Sequence, residues 1–335
     1  MQALWTKIVA FFTSLLVWFS SFAGLGELRQ KADLFFRFPD YARARTAVAE
    51  LPGLAEGFVP QGATYLSEED VYLLCGYMDD GTASRLYVLK DGAFNGLSLL
   101  HPDGSAYTGH AGGITAAGEY VYVSNNKRLY VLEKRRVLSA KDGDAAPFIG
   151  SVSVPCRASF CSSDGERVYV GEYHKDENYP TDPSHELTAP DGSVFKALVF
   201  GYAVSPEAPL GLSAETPAVA FSMYDEVQGF ALLPDGTAAL SCSDSSTSSG
   251  LHFYDCADEP DGAFSLNGAA VPLWYLTDAR AVGKIKIPRM SEDIEYRGGD
   301  ILILFESGAR RFEPNDSFTE TELVRLSVKT LLRRK

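Results

Sequence analysis

"QGATYLSEEDVYLLCGY", residues 61–77, holds two β-rich runs joined by the acidic turn "SEED", with a polar Gln61 and a small Gly62 at its head. The same order returns four times: "HAGGITAAGEYVYVSNN" from His110, "RASFCSSDGERVYVGEY" from Arg157, "QGFALLPDGTAALSCSD" from Gln228 and "EDIEYRGGDILILFESG" from Glu292. Turns such as "AGE", "DGE", "DGT" and "GGD" supply the glycines that tight hairpins need at positive φ. Each unit therefore opens with an antiparallel pair.

A third run follows in every unit: "SRLYVLK" from Ser84, "KRLYVLE" from Lys127, "KALVFGYAV" from Lys196, "GLHFYDC" from Gly250 and "TELVRLSV" from Thr321. Four units carry a fourth run, beginning at Gly96, Phe148, Pro217 and Gly283, and the fifth lacks one. The missing run stands upstream of the first unit as "TAVAELPG" from Thr46. That pattern predicts an all-β chain. It is a β-propeller of five four-stranded blades over residues 46–330, closed by an N-terminal strand so that no sheet edge is left open. The unit starts fall 49, 47, 71 and 64 residues apart. The two long intervals should hold insertions, at 174–193 and 257–280, and a sixth, degenerate blade hidden there is the alternative. After residue 50 no amphipathic run of helical period is visible, which excludes an α/β alternation.

The rest of the chain is read more simply. Residues 8–26 carry no charge, a length near the ~18–20 apolar residues of a membrane span. Residues 1–26 are expected to be a hydrophobic N-terminal segment, either a signal peptide cut after Ala23 or a retained membrane anchor, and 27–45 a linker with a short helix. The propeller is then secreted, or held at the membrane, and lies outside the cytoplasm. A net charge of −14 excludes a nucleic-acid partner, since such partners need clustered Lys and Arg. Five cysteines are an odd number, so at least one is free or pairs between chains. Cys75, Cys161 and Cys242 fall in apolar runs, where a thiol packs as a small hydrophobe.

In a propeller the first strand of each blade lines the central channel, so the five unit heads should converge at its mouth. Gln61, His110, Arg157, Gln228 and Glu292 with Asp293 form that expected ring. Gly62, Gly112, Gly113 and Gly229 stand just inside, where strands crowd. Arg85 and Glu306 are added as ligand-binding candidates, Arg85 because a guanidinium can clamp a carboxylate or phosphate. The ends of the second strands are rich in oxygen donors of the kind a hard cation takes. Glu292, Glu172, Asp244 and Asn125 are the candidate ligands for Ca²⁺. No GxSxG, GxxxxGK[ST], HExxH or CxxC pattern is present, so no catalytic residue is assigned.

"QGATYL", "GHAGGITAAGEYVYVS", "VQGFALLPDG" and "MSEDIEYRGGDILILFESGARRF" resemble a group of bacterial secreted or membrane-tethered β-propeller proteins of unassigned activity. More distantly, the chain is similar to the lactonase, NHL and strictosidine-synthase-like propellers. The lactonase likeness implies a metal-binding carboxylate at the channel, for which Glu292 is the matching residue. The leading expectation is a propeller that binds a small or peptide-like ligand at the channel mouth. A Ca²⁺-assisted hydrolase or lactonase in the same pocket and a protein-interaction scaffold are the alternatives.

Overall fold

The computed structural model describes residues 32–243, 248–312 and 318–333. The hydrophobic segment 8–26 and Asp244 lie outside the described residues. Within them the chain forms five blades. The innermost strands are Phe58–Leu66, Gly113–Ala117, Phe160–Ser163, Val227–Leu232 and Ser291–Arg297, in blades 1 to 5. Each pairs antiparallel with the next strand in sequence, as hairpins with short glycine or aspartate turns must.

Blade 5 takes its outer strand from upstream: Arg45–Glu50 pairs antiparallel with Glu322–Ser327, with Thr46 opposite Arg325. Ahead of that strand the short helix Pro39–Ala44 buries Phe38 and Tyr41 against the core between blades 4 and 5. Glu320, almost fully buried, accepts hydrogen bonds from Tyr41 Oη at 2.7 Å and from Arg45 Nε and Nη2 at 2.7 and 2.9 Å. Arg45 also bonds Glu322.

Neither long interval contains a sixth blade. The first insertion holds a 3-10 turn, Pro183–His185, and a two-residue ladder between Leu187–Thr188 and Val194–Phe195. From the second, the hairpin Gly262–Leu266 and Ala269–Tyr275 reaches back and adds to blade 3, where Ala269–Tyr275 runs parallel to Val219–Met223. It thus covers an edge that would otherwise be open. Ala145–Pro147 does the same for blade 1.

The core is divided as the blades are. Five apolar clusters lie one between each pair of neighbouring blades. Val71, Leu73 and Leu86 of blade 1, for example, meet Ile114, Val121 and Val123 of blade 2. Between blades 5 and 1 Leu302, Leu304 and Leu323 meet Ala63 and Leu74. Because both faces of a blade are packed, runs such as "VYLLCGY" are almost continuously apolar rather than alternating. All five cysteines are free thiols. Cys75, Cys156 and Cys161 are buried in these cores, and Cys242 is partly exposed.

At the hub the inner strands touch one another in sequence around the axis. A Cβ on Gly62 would stand 2.7 Å from the Cα of Gly113, and one on Gly113 would stand 2.5 Å from the amide nitrogen of Cys161. No side chain fits there, which is why glycine follows the polar head residue.

Candidate functional site at the channel mouth

A residue with left-handed backbone stands just before every inner strand: Gly57 (φ 102°), Ala111 (51°), Ala158 (55°), Glu226 (62°) and Met290 (60°). Four of these are not glycine, and each costs on the order of 1 kcal/mol. The turn that delivers each strand to the hub is therefore set by tertiary packing and leaves no glycine signature in four of the five blades.

Immediately beyond it, three of the inner strands carry a β-bulge. Pro60 faces Gly76 and Gly62 faces Cys75, so Gln61 is the extra residue. Val227 faces Cys242 and Gly229 faces Ser241, so Gln228 is the extra residue. In blade 5 the register jumps between Ser291–Phe305 and Ile294–Ile303, placing Glu292 and Asp293 opposite Leu304 alone. A bulge re-aims the side chain of the residue left out of the ladder. Here it turns Gln61, Gln228 and the Glu292–Asp293 pair from blade packing toward the axis.

Those side chains meet. Gln61 Nε2 donates to Glu306 Oε2 at 3.0 Å, and Gln228 Nε2 lies 3.5 Å from Glu292 Oε1. Glu292 and Glu306 hydrogen-bond each other, an arrangement that requires a proton between them. Glu292 is buried, and burial followed by the charge of Glu306 holds its carboxyl well above the usual range. Burial also raises Glu306, to about 7, against the pull of the Gln61 amide and of Arg311. The site is therefore one carboxyl pair sharing protons, capped on both sides by glutamine amides.

An aromatic wall adjoins it. His110 stacks on Tyr77 with ring centroids 4.6 Å apart, and the Arg311 guanidinium lies over the Tyr77 ring, 5.5 Å from its centroid, donating to Tyr77 Oη at 2.9 Å. Burial and then the charge of Glu306 raise the Tyr77 phenol to about 12. The His110 ring keeps access to solvent, yet enough protein surrounds it that desolvation, aided by Arg311, lowers it to about 4. It is neutral at physiological pH. Arg310 clasps Asp79 through two hydrogen bonds of 2.9 and 2.7 Å, tying the segment that carries Arg311 to blade 1.

Beneath the mouth, Asp293 enters the hub. Its Oδ1 accepts from its own chain at Ile294 N (2.9 Å), Oδ2 accepts from Cys161 N of blade 3 (3.4 Å), and the amide of Ile114 in blade 2 also bonds the carboxyl. Two residues on, Glu295 accepts from the hydroxyls of Thr64 in blade 1 and Thr115 in blade 2, and pairs with Arg297 at 3.0 Å. Burial raises both carboxyls. These residues are pins between blades; the repeat contains the signal for them only as the two-residue spacing of acids in "EDIEY".

The remaining candidates are elsewhere. Arg85 donates to Ser98 Oγ within its own blade (2.9 Å). Arg157 turns outward to the first insertion, donating to Pro180 O at 3.0 Å with its guanidinium 5.9 Å from the Tyr179 ring. Glu172 is buried against His185 Nδ1 (2.6 Å), Leu198 N (3.2 Å) and Arg157 N (3.3 Å). Asn125 places its amide beside Tyr107 under Gly109. Glu172 and Asn125 are thus separated from Glu292. Tyr77 and Arg311 were not singled out in the sequence: one ends a second strand and the other follows the last repeat motif, and no periodic pattern joins them.

The paired carboxyls make stability depend on pH in a definite direction. Folded Glu306 keeps its proton to about pH 7, whereas the ordinary value is 4.5. The folded state thus binds more protons across that window, and this contribution to stability is lost as pH rises through 7. His110 acts in the opposite sense: its folded value of about 4 lies below the ordinary 6.5, so its contribution is lost as pH falls from 6.5 toward 4. Urea unfolding at a series of pH values should show wild-type stability declining from pH 5 to 8 more steeply than that of Glu306→Gln. Parallel curves would refute the shared proton.

No family model matches the chain, and no curated protein matches it. Solved structures do. The chain superposes on 73% of its length with hydrazine synthase of Kuenenia stuttgartiensis at 12% identity and a TM-score of 0.35, spanning 55% of that chain. With the PQQ-bound aldose sugar dehydrogenase of Streptomyces coelicolor the identity is 11% and the TM-score 0.44, over 84% of this chain and 97% of the other. A Thermus thermophilus protein described as an oxidoreductase (glucose dehydrogenase) gives 12%, 0.42, 84% and 99% in the same order. The five blades are read from the sheet order of this chain itself.

Proposed function

We propose that this β-propeller binds a small polar or peptide-like ligand at the channel mouth, through Gln61, Glu306, Glu292 and Gln228 beside the Tyr77–His110 stack. The observation that carries this reading is the bulge in three inner strands, which aims otherwise unremarkable ladder residues at one point. Carboxyl oxygens outnumber donors there, so the ligand class is one that brings donors, an amine or a set of hydroxyls, and lays a flat face on the stacked rings. Binding of an amine to Glu306 displaces the shared proton and strengthens as pH rises past 7. Charge-free residues 8–26 support delivery of the domain to, or across, a membrane; N-terminal sequencing of protein recovered from the cell envelope and from the medium checks that part.

Calorimetric titration with a panel of short free-amine peptides, amino sugars and polyols tests the site. A ligand of this pocket should lose at least tenfold in affinity in Glu306→Gln and in Gln61→Ala. Ligands that bind both variants as they bind wild type place the site elsewhere. The paired carboxyls also favour one second reading, a Ca²⁺-assisted hydrolase, because a divalent cation can replace the proton the two share. Calcium-dependent thermal stabilisation that disappears in Glu306→Gln would select it.

A further inference from the structure

A cleft of about 630 Å³ lies beside the loop joining blades 3 and 4, with Tyr224, Asp225, Glu226, Cys242, His252 and Lys284 among its walls. Asp225, one of those walls, also belongs to a second group: a ring nitrogen of His174 and one carboxylate oxygen from each of Asp176 and Asp225 all lie within 4.8 Å of one another. His174 is 4% exposed, and its Nδ1 stands 2.9 Å from Asp225 Oδ1. Despite that distance the buried Nδ1 has no hydrogen-bond partner. That spacing is one that two ligands of a single cation take, and Nε2 of the same ring stands 3.7 Å from Asp176 Oδ1.

Neighbouring residues contact this group on several sides. Glu226 N donates to the carbonyl of His174 at 2.9 Å, joining the end of blade 3 to the head of blade 4. Lys175 pairs with Glu226 at 2.9 Å, and Lys196 with Asp176 at 2.8 Å. Asp176 and Asp225 are exposed and so can turn by a rotamer, whereas the His174 ring is buried.

We propose that His174, Asp176 and Asp225 bind a divalent transition-metal cation of the zinc or manganese class, beside the cleft that Asp225 also lines. One imidazole and two carboxylates suit those metals; Ca²⁺ requires six to eight oxygens, which this group does not bring together. Lys196 must yield Asp176 to the metal. The site is separate from the channel mouth and stands whether or not the ligand reading above holds.

The test uses tag-free, chelator-treated full-length protein titrated with ZnCl₂, MnCl₂ and CaCl₂ by calorimetry, with bound metal counted by elemental analysis after dialysis. One equivalent of Zn²⁺ or Mn²⁺ should bind, at least tenfold more tightly than Ca²⁺, and Asp225→Asn and Asp176→Asn should each weaken it tenfold or more. Both aspartates are exposed, so neither variant depends on refolding a core; His174→Ala adds a third reading where circular dichroism shows it folded. Absence of stoichiometric binding, or unchanged affinity in both aspartate variants, would overturn the proposal. So would loss of the metal in Glu306→Gln with retention in Asp225→Asn and Asp176→Asn.

Discussion

Replacing Arg45 by alanine should cost the fold roughly 3–5 kcal/mol, the usual penalty when one partner of a buried ion pair is removed. Glu320 is about 1% exposed and its two oxygens are satisfied by Arg45 and Tyr41. Without the guanidinium it must either take up a proton or draw water into the contact between the helix Pro39–Ala44 and blade 5. Glu322, which Arg45 also bonds, is partly exposed and can rehydrate. The loss therefore falls mainly on Glu320. The double variant Arg45→Leu, Glu320→Leu should recover most of the stability, because apolar groups of similar volume do not carry the desolvation cost of the charges. Urea midpoints of the single and double variants decide the matter. A single variant within about 1 kcal/mol of wild type would mean that Arg45 does not hold the last blade.

Asp293→Ala should be nearly as damaging, about 3 kcal/mol or more, at ~1–3 kcal/mol for each backbone donor left without an acceptor. The carboxyl receives amides from blades 2, 3 and 5 at a crowded hub, where a Cβ on Gly113 would stand 2.4 Å from its Oδ2. Asp293→Asn retains one acceptor oxygen but turns an amide donor toward the other N–H, so it should fall between alanine and wild type. Hydrogen exchange adds a local readout: the amides of Ile114, Cys161 and Ile294 should lose protection together in Asp293→Ala. If only Ile294, the residue adjacent in sequence, were affected, the pin between blades would be wrong.

The two variants act on different joints of the same ring, one at the outer edge of blade 5 and one at the axis. Their effects should be additive, since no residue is shared between the two contacts. Arg45 lies at the outer edge of blade 5, so ligand binding by whatever fraction of Arg45→Ala remains folded should be unaltered, whereas Asp293 contributes to the charge around Glu292.

Much of the architecture was legible because it is written locally. Hairpin turns, apolar runs and their recurrence specify five units, and Gly62, Gly113 and Gly229 mark the crowded hub, each followed or preceded by the backbone of a neighbour. The candidate site was legible only as a set of positions. Gln61, Gln228, Glu292 and Glu306 come together, and His110 joins them through Tyr77. Arg157 stands at the equivalent place in its unit but is drawn outward by Pro180 and Tyr179, residues of an insertion that the other units lack.

By itself the sequence determined the repeat, five recurring units with a sixth blade left open in the insertions, and the polarity of the residue at the head of each inner strand. These depend on turn chemistry and side-chain period within one hairpin. Only the tertiary structure decided where those side chains point. The bulges that aim them arise from the pairing of each inner strand with its partner and from strained left-handed residues that four blades build without glycine. Likewise the shared proton of Glu292 and Glu306, the blade-crossing bonds of Asp293 and the meeting of His174 with Asp225 join residues whose proximity is fixed by packing between separate segments. Local periodicity carries no record of such contacts, because the free energy that sets them belongs to the closed ring rather than to any one blade.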